Sequence, residues 1–188
     1  SPYQTMDDLI KAAKEKPNTI TYSSSGNFGP IHLSVEMLAY QAGVKFAQIP
    51  FGGGGPSMIA LLGGQVDFTT AAPSVASQQI ASGKVRPLAI SSGKRLPAFP
   101  DIPTYREVGY NAEYYIWAGI YAPTKTPISI VRTLRESLKK ATATPQYIES
   151  MKKAGIYMDY RDAPEFKAFA NEDGQRMMKV IRSIGKID

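Results

Sequence analysis

Between residues 20 and 80 the apolar positions change period three times, and each change falls on a small polar or glycine-rich turn. Ile20-Thr21-Tyr22 is a short β-type run that stops at Ser23-Ser24-Ser25-Gly26-Asn27. From Pro30 onward, Leu33, Met37 and Leu38 recur at helical spacing. The design returns at 46–51 (FAQIPF), which leads into Gly52-Gly53-Gly54-Gly55 and a helix expected from Pro56 to Leu62. It returns again at 67–70 (DFTT), followed by Ala71-Ala72 and a helix from Pro73. Proline suits a first helical turn because its missing N–H would have no partner there. Each junction is therefore a strand, a turn, and a helix whose orphan N–H groups face the turn. Such an end attracts anions, because free donors and the helix dipole act together.

The rest of the chain gives this frame its surroundings. Thr5-Met6-Asp7-Asp8 starts a helix in capping-box fashion, and Lys16-Pro17-Asn18 ends it. Residues 85–90 (VRPLAI) predict a fourth strand, 91–103 an irregular proline-rich connection, and 104–108 a short helix. The aromatic run 113–122 (EYYIWAGIYA) predicts a long strand or crossover. Beyond it, Pro127 and Pro145 open helices, 156–160 predicts a last strand, and Asp162-Ala163-Pro164-Glu165 starts a final helix. Strands alternating with helices imply an α/β fold with a mostly parallel sheet covered on both faces. In such sheets ligands sit beyond the C-terminal ends of the strands, where the three turns lie.

Composition narrows the chemistry. The 188 residues contain no Cys and one His, which removes disulfides, thiolate chemistry and any multi-histidine metal site. Ser1-Pro2-Tyr3 carries no leader pattern, and the longest uncharged run, 46–66, is broken by two prolines and six glycines and is no membrane helix. The net charge of +6 comes from dispersed Lys and Arg. The densest stripe, Arg132, Arg135, Lys139 and Lys140, is expected to be a solvated helix face, with Val131, Leu134 and Leu138 on the buried side.

Catalytic constellations are missing from the pattern. The glycine run lacks the Lys of a phosphate-binding P-loop and the spacing of a dinucleotide fingerprint. What it offers is close approach of a ligand to main-chain N–H groups, although a flexible turn would read the same way. Ser23 to Ser25 and Gly26 can serve a carboxylate or simply cap a helix. No G-x-S-x-G elbow accompanies them, and His32 falls within a helix, behind the turn. Asp67 reads as structural rather than as a base. Trp117, Tyr114, Tyr115 and Tyr121 could wall a pocket, but aromatics in a strand are core first. The residues favour a binder over an enzyme.

Several segments resemble the Bug family, the periplasmic solute receptors of tripartite tricarboxylate transporters. They are 22–26 (YSSSG) with 30–33 (PIHL), 50–53 (PFGG), 61–67 (LLGGQVD), 83–91 (GKVRPLAIS), Lys94-Arg95, 99–104 (FPDIPT), 117–123 (WAGIYAP) and Thr126-Pro127. Each is weak alone; together they run in the family's order over nearly the whole chain. The resemblance implies a two-lobed, type II periplasmic-binding-protein fold that closes on small organic carboxylates. It implies no cofactor and no turnover, and delivery of the solute to membrane permease subunits. It also implies ligand contacts from Ser24, Ser25, Gly26 and Asn27, from Phe51, Gly52 and Gly53, and from Ala72, Pro73 and Ser74. These fall in the three turns found from the pattern alone.

The resemblance also implies a glycine-rich opening segment that builds most of the first lobe, and nothing here matches it. The expectation is a second lobe over 1–112, a crossover at 113–123, and helices and a strand at 124–188 that return to the first lobe. The signal peptide of a periplasmic protein would precede such a chain. Exposed first-lobe surface could then drive self-association, and half a site is expected to bind at roughly millimolar affinity or not at all. Three rivals stay open: the ligand-sensing domain of a transcription regulator, a carboxylate-handling lyase or transferase on a related fold, and a nucleic-acid binder using the basic stripe.

Overall fold

The computed structural model describes residues 1–156 and 158–185. The chain divides into two compact units, Ser1–Tyr115 with Met177–Asp188, and Ile116–Arg176. The first unit begins with α1 (Met6–Glu15), whose capping box forms as the sequence predicts. Thr5 Oγ1 accepts from the Asp8 N–H while the Asp8 carboxylate accepts from the Thr5 N–H. Those bonds hold the Asp8 carboxyl below its ordinary range. Met6, Leu9, Ile10 and Ala13 line one stripe of α1 and are buried.

Three parallel strands follow, β1 (Thr21–Ser24), β2 (Ala47–Pro50) and β3 (Phe68–Thr69), in the spatial order β2-β1-β3. Ser24 is level with Pro50, and Ser23 with Thr69, so all three strands end at one edge. Helices α2 (Pro30–Ala42), α3 (Gly54–Leu62) and α4 (Pro73–Ala81) follow β1, β2 and β3 in turn. Alternation along β1 distributes them. Tyr22 points into the apolar core, its hydroxyl donating to Glu36 of α2, whereas the next residue, Ser23, donates to the Ser57 carbonyl of α3. The two helices therefore cover opposite faces of β1. Tyr22, Val35, Met37 and Leu38 are fully buried, and Phe46 and Phe68 meet edge-on at 4.8 Å. Val180, near the end of the last helix (Ala163–Ile184), also lies in this core.

The second unit holds α5 (Ile128–Thr142), α6 (Pro145–Lys153) and most of α7 (Ala163–Ile184). Trp117 packs edge-on against Phe166 and Phe169 of α7 and donates its indole N–H to Asp173. Arg135 reaches Asp162 bidentately at 2.9 and 2.8 Å, and these bonds hold that carboxyl down to about 2.

Several sequence expectations do not hold. Residues 85–90 form no strand, only an isolated bridge between Ile90 and Thr104, because Pro87 has no N–H to give a ladder. Of residues 104–108, expected as a helix, Thr104 forms the bridge and 105–108 make turns; Gly109 at φ 93° follows too soon for propagation. Residues 113–122, expected as a strand or crossover, are assigned to no strand, with the Tyr114 N–H donating to the Ser91 carbonyl, and no strand forms at 156 or 158–160; Tyr157 lies outside the described residues. β1 runs through Ser24 instead of stopping at Tyr22, and α3 starts at Gly54 instead of Pro56. A proline at the third helical position costs nothing, since that N–H is an orphan in any case. On α5 no residue is buried, and Leu134, expected inside, is exposed.

Leu9 stands 1% exposed at the centre of the α1 stripe. Leu9→Ala is expected to cost about 2–5 kcal/mol, read as a lower midpoint in urea unfolding with the slope unchanged.

Candidate functional site

The parallel register brings the three turns to one edge of the sheet. Three helix N-termini begin there, capped by Gly29, Gly53 and Ala72, and none has a side-chain cap bond. They converge closely: a Cβ placed on Gly54 would lie 3.9 Å from Val75 Cγ2 of α4 and 4.0 Å from Ile31 Cδ1 of α2. The free donors are the notable feature. Among the described residues, the N–H groups of Gly26, Asn27, Gly52, Gly53, Ala72 and Ser74 donate to no protein acceptor. Pro73 has no N–H, and the Phe51 N–H is committed to the Ser24 carbonyl at 2.8 Å. An edge of helix N-termini and unpaired amides carries positive potential, and an anion is its natural complement.

Side chains fix this backbone from behind. Ser57 Oγ donates to the Ser24 carbonyl and Ser23 Oγ to the Ser57 carbonyl, each at 3.1 Å, so α3 is bolted to the end of β1. Gln48 of β2 donates to Ser24 Oγ at 2.7 Å and to Asn27 Oδ1 at 3.2 Å. The second bond leaves the Asn27 amide group free to donate outward. Thr69 of β3 donates to the Ser23 carbonyl. Asp67 accepts from both the N–H and the hydroxyl of Thr21, each at 2.8 Å, which is a structural role.

The predicted residues are not equivalent once placed. Asn27, Gly52, Ala72 and Ser74 are exposed, and Ser25, Gly26, Phe51, Gly53 and Pro73 are half-buried. Ser24 is wholly buried, with its carbonyl and hydroxyl both taken, so it supports the turn from inside. The Oγ of Ser25 is buried with no hydrogen-bond partner and points toward Gly29 at the start of α2, where an added Cβ would meet it at 2.7 Å. An unsatisfied buried hydroxyl costs about 1–3 kcal/mol. The residues that sequence reasoning missed are Gln48 and Ser57. Neither has a local signal, because their partners lie 24 and 33 residues away. In the second unit, a depression of about 440 Å³ is lined by Asp159, Tyr160, Arg161, Glu165, Phe169 and neighbours, and Arg161 already lies 4.1 Å over the Phe169 ring.

Comparison with known proteins places this geometry in context. The tripartite tricarboxylate transporter family receptor (TctC) matches residues 1–186. A UPF0065 protein in the gbd 5' region of Cupriavidus necator is 36% identical over 185 residues, covering 98% of this chain and 56% of its own length. The solved periplasmic binding protein BugD is 32% identical with a TM-score of 0.80, over 98% of this chain and 63% of that one. MatC (Rpa3494) from Rhodopseudomonas palustris, solved with bound malate, is 25% identical with a TM-score of 0.79, over 96% and 63%. The fold is thus that of the TctC and Bug periplasmic binding proteins. This chain spans about half the length of the curated relatives it matches.

Two neighbouring glycines test the edge. Gly53 sits at φ 141° and ψ −178°, open to glycine alone, so Gly53→Ala is expected to cost about 1–3 kcal/mol. At Gly54 the new methyl makes only ordinary contact, so Gly54→Ala is expected to be neutral or stabilising. Equal losses from the two, by thermal unfolding, would mean the second turn is not built this way.

Proposed function

The chain belongs to the tripartite tricarboxylate transporter receptor family, and from that premise we propose that it captures a small organic dicarboxylate at the edge formed by the three turns. The supporting observation is the convergence of three helix N-termini with no side-chain caps around Gly54, framed by amides without protein acceptors. One carboxylate takes the amides of Gly26 and Asn27 with the Asn27 side chain. The amides of Gly52 and Gly53, and of Ala72 and Ser74, remain for a second. Ser25, Phe51 and Pro73 wall the space, and Ser24 holds the first turn in place. The malate bound by MatC is a ligand of this class.

The chain works in the periplasm, without a cofactor and without turnover, and its solute passes to membrane permease subunits. In this reading residues 1–112 form one lobe, 113–123 the crossover, and 124–176 belong with the other lobe, while the end of α7 returns to the first unit, where Val180 lies in the core. This reading includes no nucleic-acid partner; within the basic stripe, Arg135 is bound bidentately by Asp162.

A thermal-shift titration with mono-, di- and tricarboxylates tests the ligand class. Each charge-assisted bond contributes about 1.5–3 kcal/mol and association costs at least about 4 kcal/mol. The expected result is a dicarboxylate-dependent rise with a midpoint in the millimolar range, absent with matched sulfate. A cooperatively melting protein with no response to any carboxylate would overturn the reading.

Self-association has its own observation. Residues 116–122 form no backbone hydrogen bond among the described residues and carry no charge or proline, and Ile116, Ile120 and Tyr121 are 70%, 74% and 73% exposed. An uncharged segment whose backbone groups have no backbone partner can pair with another copy. Sedimentation velocity is expected to show concentration-dependent dimers that Ile120→Lys abolishes; a monomer at every concentration would refute this.

A further inference from the structure

His32 is the single histidine of the chain, and it stands one helical turn behind the first turn of the site, 4% exposed. The Phe28 N–H donates to its Nδ1 at 2.9 Å. That bond fixes the neutral tautomer, with the proton on Nε2, which lies 3.9 Å from Glu36 Oε1. The residue so held is an unusual one. Phe28 has φ 57°, a left-handed conformation that a bulky side chain adopts only when its surroundings impose it. Gly26, at φ 107°, accepts from the Gly29 N–H at 3.3 Å, which closes the same bend. The Phe28 ring packs edge-on against the imidazole at 5.3 Å, and the Tyr22 ring stacks with it at 6.4 Å. The bend that presents the Gly26 and Asn27 amides is thus held at three points, by the Gly26–Gly29 bond, by Gln48 on Asn27 and by His32, and the imidazole Nδ1 is the one that grips its left-handed residue.

We propose that His32 is the positioning residue of the anion site: its unprotonated Nδ1 holds Phe28 in the left-handed bend, and its protonation releases the bend, so that anion capture weakens as the pH falls. This rests on the reading that the three turns bind a carboxylate. A proton added at Nδ1 would face the Phe28 N–H with a second donor at hydrogen-bond distance, and one of the two must withdraw. The titratable groups against the ring are Glu36, on its own helix, and Tyr22, on β1, whose hydroxyl donates to Glu36 at 2.8 Å. Burial holds the imidazole below its ordinary value and outweighs the opposing pull of Glu36. Burial, followed by Glu36, pushes the Tyr22 hydroxyl far up, so it stays protonated throughout. The sign for folding follows. The unfolded chain takes up its histidine proton first, near pH 6.5, so stability is full above that value and declines as the pH falls through it toward the folded value. A nearby positive charge alone would have the opposite effect on anion affinity, strengthening it in acid, so the direction of the pH profile separates the two.

With one histidine, nitrogen-15 NMR of the full chain reads the switch without ambiguity. The expected spectrum at pH 8 has the proton on Nε2 and a slowly exchanging Phe28 amide. On acidification, Phe28 protection is lost and the Gly26 and Asn27 amides shift, all with the imidazole's own midpoint. Malate affinity, measured in parallel, is expected to fall by up to about tenfold per pH unit below that midpoint, the limit for one linked proton. His32→Asn keeps an acceptor for Phe28 and cannot titrate, so it should keep the protection and lose the excess pH dependence. Comparing the two chains at each pH cancels the titration of malate itself. His32→Leu should lose Phe28 protection at every pH. Phe28 protection that persists through the imidazole titration would overturn the proposal, as would malate affinity that rises in acid. Absence of malate binding at any pH, with the NMR titration as described, would overturn the carboxylate reading and the link to capture, while establishing the histidine-held bend.

Discussion

β1 is paired on both sides, and that double parallel pairing is the constraint from which the site follows. A parallel neighbour on each edge sets the ends of β2 and β3 level with Ser23 and Ser24. Each chain must then turn at the same edge and re-enter as a helix pointing its N-terminus back toward it. Three partial positive charges of helix dipoles are thereby stacked at one place. The arrangement is electrostatically costly without an anion, and it persists because strand pairing and core packing hold it.

That holding is mostly polar and mostly hidden. Ser23, Ser24 and Ser57 are fully buried, a burden for a small core unless every group is satisfied. They meet the requirement through the reciprocal bonds between Ser57 and β1 and through Gln48. The buried Oγ of Ser25 is left out of this network, directly beside the start of α2. The framework satisfies its hidden groups and leaves amides and a hydroxyl without protein partners at the edge, a pattern that calls for an explanation outside stability.

The first turn differs from the other two in what enforces it. Gly53 reaches its conformation freely, and the third turn needs no left-handed residue. Phe28 is held left-handed against its own preference by a buried imidazole and the ring packing around it. The second unit depends on a different set of contacts, with Trp117 seated on Phe166 and Phe169 and tied to Asp173.

The three strand–turn–helix junctions and the α/β class were legible in the sequence, because period changes, prolines and glycines act through neighbours a few residues away. The helix starts at Pro30, Pro73 and Pro145 and the Thr5 capping box were legible for the same reason. The expected strand at 85–90 and the strand alternative for 113–122 failed because β-type residues make a strand only when a partner presents its backbone, and local sequence does not say whether one does. Ser24 read as a ligand group and lies buried in the framework, while Gln48 and Ser57 carried no signal at all. Which polar residue faces the edge and which one braces it was decided only when the sheet brought distant segments into register. Hydrogen bonds between residues 24 or 33 positions apart are properties of the packed fold, and no local pattern encodes them.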